Sequence, residues 1–490
     1  MTALRRPSLL LALLLALAAP AFAAEGHLGR KPTVLTLPRP ASGEWMGLYL
    51  QGKKAGWAFS NVTFAVFDGT PAVKAVSEVA LSANIGGAKT ERHLREERFY
   101  AYKDGGALVG IQIDKTGDGG EEHVRGVRKG NHLDLTITRP GHATETRQIP
   151  ASAETVDEAD APRMAISRNG AVTGKALDGD DLADKSITTT VLPPGQLVEG
   201  GVTIPVRRTQ TVDEKDKLPT VTSIAPDGRI LELRFGEPAV MVGKAEPKEV
   251  AQKLEEVDLF ALTRVVLDKA PGPSAFGDAP QLTFDVKGLP KDFQKPSPRQ
   301  SYLAAEGGIT KVTIHGHAPA GHALLPEKAT TPDLTEALAS TRQVESSDPG
   351  IVKKAKEVIG GEKDAWLAAR KLSAWVNSTL VKAYGVSSDR ATDVLARKEG
   401  DCTEHALLFT ALSRAVGIPA RRVDGLVYMA VQGQPPALYW HEWAEVFVGE
   451  WVAIDPTFGE PIADATHLAL GAEGRADSAA LIGQLQITVE

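Results

Sequence analysis

The sequence predicts an α+β protein: a β-rich, mostly antiparallel N-terminal region, then a C-terminal domain of helices and strands. Three observations carry that expectation. Up to about residue 320, apolar residues come in short alternating runs broken by Gly- and Asp-rich turns, the period of half-buried strands. After Pro326 the spacing turns helical, with cap residues at the starts. The only cysteine of the chain, Cys402, opens an apolar helical stretch that two strand-like runs follow.

A length of 490 residues suits roughly two to four domains. The net charge of −7 gives no reason to expect a nucleic-acid partner. Arg5 and Arg6, the apolar run Leu9 to Ala19, and Ala21-Phe22-Ala23 have the order of a signal peptide, residues 1–23. That run is shorter than the ~20 apolar residues a spanning helix needs. A periplasmic or secreted protein with no stable membrane anchor after cleavage is expected, an uncleaved anchor being the alternative. In an exported chain, one cysteine excludes an intrachain disulfide and a cysteine-rich metal site. It is then a buried inert thiol or a reactive one.

Strands are expected around Trp45 to Phe59, with Gly52-Lys53-Lys54 as a turn, and at Val62–Val66, Val73–Leu81, Glu91–Tyr102, Leu108–Ile113, Glu122–Arg128 and Leu133–Thr138. Asp178-Gly179-Asp180-Asp181 lacks a complete calcium-loop pattern and reads as a solvated loop. Strands resume at Ile187–Leu192, Val202–Thr209, Thr220–Ile224 and Ile230–Phe235, and Lys248–Leu262 looks helical. The β-rich region spans about 40–320, with a division into 40–150 and 185–320 as one option. His315 and His317, with His322 beyond them, have no carboxylate near in sequence and read as loop histidines. Asp348 before Pro349, and Asp364, start helices; on the second, Trp375 falls on the apolar stripe. The C-terminal domain spans about 335–475.

Cys402 begins a helix over Thr403–Val416 that Gly417-Ile418-Pro419 ends. A helix N-terminus favours a thiolate and offers amide donors to an oxyanion, and Gly400 leaves room for a substrate backbone. Trp443–Phe447 and Trp451–Ile454 read as paired strands. If three residues join them, Phe447 pairs with Trp451, and His441, Trp443 and Asp455 share one face. A two-residue turn would send Asp455 to the other face. The arrangement suits Cys402 as nucleophile, His441 as base and Asp455 as the acid that orients it. His405 is a rival base. Tyr439, Trp440 and Trp443 are candidates to line an apolar acyl groove, or to pack beneath the hairpin.

Gly400-Asp401-Cys402-Thr403-Glu404-His405-Ala406, Gly417-Ile418-Pro419-Ala420-Arg421, His441-Glu442-Trp443 and Trp451…Asp455-Pro456-Thr457 resemble the transglutaminase-like superfamily over roughly 340–470. The resemblance implies a papain-like core, a triad of Cys402, His441 and Asp455, and no metal or other cofactor in the chemistry. It implies a protein or peptide substrate, whose amide is hydrolysed or transferred to an amine through a thioester. Calcium activation is not carried over. No glutamine lies between Gln343 and Cys402 to serve the oxyanion, and Trp366 or Trp375 is the substitute the resemblance suggests. The reading from another class is an idle fold serving as a surface binding or structural module.

Overall fold

The computed structural model describes residues 30–490 apart from 119, 215–217, 237–239, 278, 322, 328, 385–387 and 472–475. Residues 1–23, where a signal peptide is expected, and His322 lie outside the described residues. Among those described, no helix is long and apolar enough to cross a membrane.

Fourteen strands between Glu44 and Ala245 form one antiparallel sheet. Eight of them, ending at Glu145–Pro150, make a meander, and six from Val172–Leu177 onward make a second. The meanders fuse where Glu44–Leu50 pairs with Met241–Ala245. A helix, Ala161–Arg168, starts on Asp160 with a proline in its first turn and ends on left-handed Asn169. Its buried Met164 and Ala165 share a core with Tyr100, Ile111 and Leu133 of one meander and with Val172 and Leu177 of the other, so the sheet curls around the helix.

The division expected at 150–185 is therefore corrected. Main-chain pairing from Met46↔Ala245 to Leu50↔Met241 makes 44–245 a single unit. The break comes later: Gln281–Lys287, Gln300–Ala304 and Ile309–His315 form a separate sheet that Gln486–Val489 completes. Phe284, Val286, Val312 and Ile314 of this small sheet share a core with Leu426, Leu438 and Leu468 further along the chain. Lys248–Leu262 is not one helix but two short pieces, Lys248–Ala251 and Leu259–Thr263.

In the C-terminal part, helices Pro349–Ile359 and Ala365–Thr379 start on Asp348 and Asp364, whose carboxylates accept the first-turn amides. They surround Cys402–Ala415, which is buried along nearly its whole length. This helix lies on a sheet ordered Val265–Val266, Ala437–Phe447, Ala420–Met429, Leu468–Ala469, with Trp451–Ile454 paired to Ala437–Phe447. The large sheet docks on this domain through ion pairs: Glu122 receives Arg342 and Arg390, the latter at 3.0 Å, and Arg139 meets Asp393 at 3.0 Å. The turn between Thr70–Ile85 and Ala88–Ala101 also reaches across, so that a Cβ on Gly86 would lie 2.5 Å from the Tyr384 ring.

Candidate active site

Cys402 is the first residue of its helix, and a reciprocal cap fixes that start. Asp401 accepts the Thr403 amide at 2.9 Å, and Glu404 accepts the Asp401 amide at 2.9 Å. A Cβ on Gly400 would sit 2.3 Å from that of Glu404, so this glycine makes room for the cap rather than for substrate. Cys402 is partly exposed. Burial, joined by the charge of Asp401, pushes its thiol well above the ordinary value, and the Glu442 amide pulls weakly the other way. The expectation of a thiolate favoured by the helix end is thus corrected. The cap brings two carboxylates to the positive end of the helix and offsets it. The thiol needs a base.

The hairpin meets the parity condition. Phe447 pairs with Trp451 across Val448-Gly449-Glu450, and Val446 with Val452. His441 and Asp455 therefore face each other, Nε2 to Oδ2 at 2.8 Å. The other carboxylate oxygen accepts the amides of Thr457 at 2.6 Å and Phe458 at 3.1 Å. Burial alone would push Asp455 up, but His441 and His467 hold it well below the usual carboxylate range. With Nε2 engaged, Nδ1 of His441 is left to act as base. The Phe458 ring stacks on the imidazole, centroids 4.8 Å apart and planes within 6°. Asn377, on helix Ala365–Thr379, donates to the carbonyls of Pro456 and Thr457 at 2.9 Å each and pins the loop that carries Asp455. The Cys402 sulfur faces the amide of Glu442, the residue after His441.

A third group completes the cluster. His467, fully buried, reaches Asp455 Oδ2 with Nε2 at 3.1 Å and Asp464 Oδ1 with Nδ1 at 3.1 Å. Burial pulls it down, but the two carboxylates win and raise it to about 9. His441, Asp455 and His467 lie within 4.8 Å of one another, a spacing that metal ligands share. Here hydrogen bonds fill those gaps, and both ring nitrogens of His467 are committed.

Residues 352–456 match the family described as the Transglutaminase-like superfamily. The C-terminal domain is transglutaminase-like. None of the curated proteins compared with the chain matches it. Among solved structures, a candidate cysteine protease from Cytophaga hutchinsonii is similar at 17% identity and a TM-score of 0.28, over 43% of this chain and 83% of that one. A β-barrel-like protein of a domain of unknown function from Brucella abortus is similar at 10% identity and a TM-score of 0.31, over 43% and 97%. Red sea bream transglutaminase follows at 12% identity and a TM-score of 0.19, over 69% and 50%.

Within the transglutaminase-like domain, the groove candidates are corrected. Trp443 is fully buried against Val423, Ala453 and Ala463. Trp440 lies toward the small sheet and donates to the Thr263 carbonyl at 3.2 Å; Tyr439 is buried beside Phe260. Tyr439 and Trp443 are packing residues, and Trp440 is half-buried against the small sheet. His405 is fully buried with Nδ1 on the Asp401 carbonyl at 2.7 Å, and burial lowers its pKa. Trp366 and Trp375 pack against the helical core. His317 pairs with Glu450 at 2.6 Å, a partner remote in sequence, and Asp178 folds back on the amides of Asp180 and Asp181 as a loop. Sequence reasoning missed Phe458, Asn377 and His467. The Asp455-Pro456-Thr457-Phe458 run offered a signal for the first; neither periodicity nor motif marked the others.

Gly425 pairs with His441 across the sheet, and a Cβ there would meet the Leu468 carbonyl at 2.1 Å and the Trp443 ring at 2.6 Å. Gly425→Ala should therefore cost about 1–3 kcal/mol of stability and displace His441. Thermal melting and Cys402 alkylation measured on one sample check both effects.

Proposed function

We propose that this chain is an exported, cysteine-dependent acyl-transfer enzyme acting on peptide or side-chain amides. The observation that carries the reading is the 2.8 Å contact of His441 with a fully buried, ionised Asp455, one residue from the amide that faces the Cys402 sulfur. In this reading Nδ1 of His441 takes the thiol proton as Sγ attacks the amide carbonyl carbon. Backbone amides at the helix start receive the oxyanion. The imidazolium then returns the proton to the leaving nitrogen, the C–N bond breaks, and a thioester remains. Water or an amine, deprotonated by His441, attacks the thioester and releases the thiol. Asp455 holds the ring and offsets the imidazolium charge. Hydrolysis is favoured over transfer because no amine-donor site is legible. Export rests on the order of residues within 1–23.

Incubating a glutamine-containing protein with a fluorescent primary amine, followed by mass spectrometry, separates the outcomes. Cleavage or deamidation without label indicates a hydrolase; label on glutamine indicates a transferase. Either signal must vanish in Cys402→Ala. Products that persist in that variant, or none from any amide substrate, would leave the binding-module reading instead.

A further inference from the structure

We infer that His467 is a positioning residue: held as a cation between Asp455 and Asp464, it shares Oδ2 of Asp455 with His441 and thereby restrains the basicity and orientation of the catalytic imidazole. The inference rests on the acyl-transfer reading above.

The geometry sets the charge. Each ring nitrogen of His467 lies 3.1 Å from a carboxylate oxygen. An ionised carboxylate only accepts hydrogen bonds, so both nitrogens must carry protons and the ring is an imidazolium. The two amides on Oδ1 leave Oδ2 as the only oxygen of Asp455 that could carry a proton, and there the two histidines hold the carboxyl well below the usual range in spite of its burial, so it is ionised. The upward shift of His467 agrees. Among the described residues, Glu460 and Arg299 also act on His467, and the Arg299 guanidinium is occupied with the carbonyls of Ala463, Asp464 and His467. Around His441 stand Asp455 and, beyond the Phe458 ring, Lys382.

Two consequences follow. A carboxylate has about four acceptor sites, and Asp455 fills all of them with His441, His467 and two amides, so it can neither rotate nor drift. The His441 and His467 rings are 5.8 Å apart. A fixed positive charge at that distance acts on any second positive charge that His441 takes up.

The test is the pH profile of Cys402 alkylation by iodoacetamide, which needs no substrate, in the full chain and in His467→Gln and His441→Ala. In His467→Gln the acid limb should move up by one to two pH units, roughly the effect of one charge at this distance. Below the limb, alkylation should slow by about 10- to 100-fold. A folded His467→Gln protein with an unmoved limb overturns the inference while leaving the triad intact. A wild-type profile indifferent to His441→Ala overturns the acyl-transfer reading and this inference with it. If circular dichroism shows that His467→Gln does not fold, ¹⁵N NMR of the histidine rings in the wild-type protein decides. One buried imidazolium at pH 7.5 supports the inference, and a neutral His467 overturns it.

Discussion

Asp455→Asn should lower kcat by about 10⁴-fold, the scale seen when the orienting acid of a triad becomes an amide. The reason lies in the donors around it. Oδ2 receives two imidazole nitrogens and Oδ1 receives two backbone amides. An asparagine can keep its carbonyl toward the amides only by presenting its NH₂ to both rings. His441 must then carry its proton on Nδ1, the nitrogen needed as base, and His467 must give up its charge. Asp455→Ala adds the cost of leaving two amides unpaired and a buried cation with one carboxylate in place of two, about 3–5 kcal/mol of stability. Steady-state kinetics on any amide turned over by the wild type check the first effect. Urea unfolding of the C-terminal transition checks the second.

Stability should fall on the alkaline side of neutrality. The folded pKa of His467 is raised from 6.5 to about 9. A raised histidine contributes stability that is fully present below the unfolded value and is lost as pH climbs through the folded one. The window runs from about 6.5 to 9, and the shift corresponds to about 3 kcal/mol. Asp455 acts at the other end: its depressed pKa contributes stability above the unfolded carboxylate range and loses it as the solution becomes strongly acidic. The melting temperature of the wild-type protein should drop between pH 6.5 and 9, whereas that of His467→Gln should be nearly flat there. Parallel curves for the two proteins would contradict this assignment of the proton.

What could be read in the sequence was local. The caps at Asp348 and Asp364, the helix after Cys402 and the loop Val448-Gly449-Glu450 are encoded within a few residues of where they act. The parity of that loop alone placed His441 and Asp455 on one face. What was illegible depended on contacts between distant segments. Pairing of Glu44–Leu50 with Met241–Ala245, which turns two meanders into one sheet, has no trace in either strand alone. The covering of Tyr439 by Phe260 could not be foreseen from the strand that carries it, so a buried residue looked like a groove residue. For a related reason the start of the Cys402 helix is not an unopposed charge: Asp401 and Glu404 fold back onto it, and burial does the rest.

The small sheet also sets how far this domain can be moved. Arg299 leaves that sheet to hold the carbonyls of Ala463, Asp464 and His467, and Val265–Val266 forms an edge of the sheet that bears His441. Both lie upstream of the transglutaminase-like match, and Gln486–Val489, which completes the small sheet, lies downstream of it. A fragment cut to 335–475 would carry every residue of the proposed triad and lose the frame that fixes them. The stretch from about 259 to 490 holds the proposed triad and this brace together. Transplanting the chemistry onto another carrier means transplanting its brace as well.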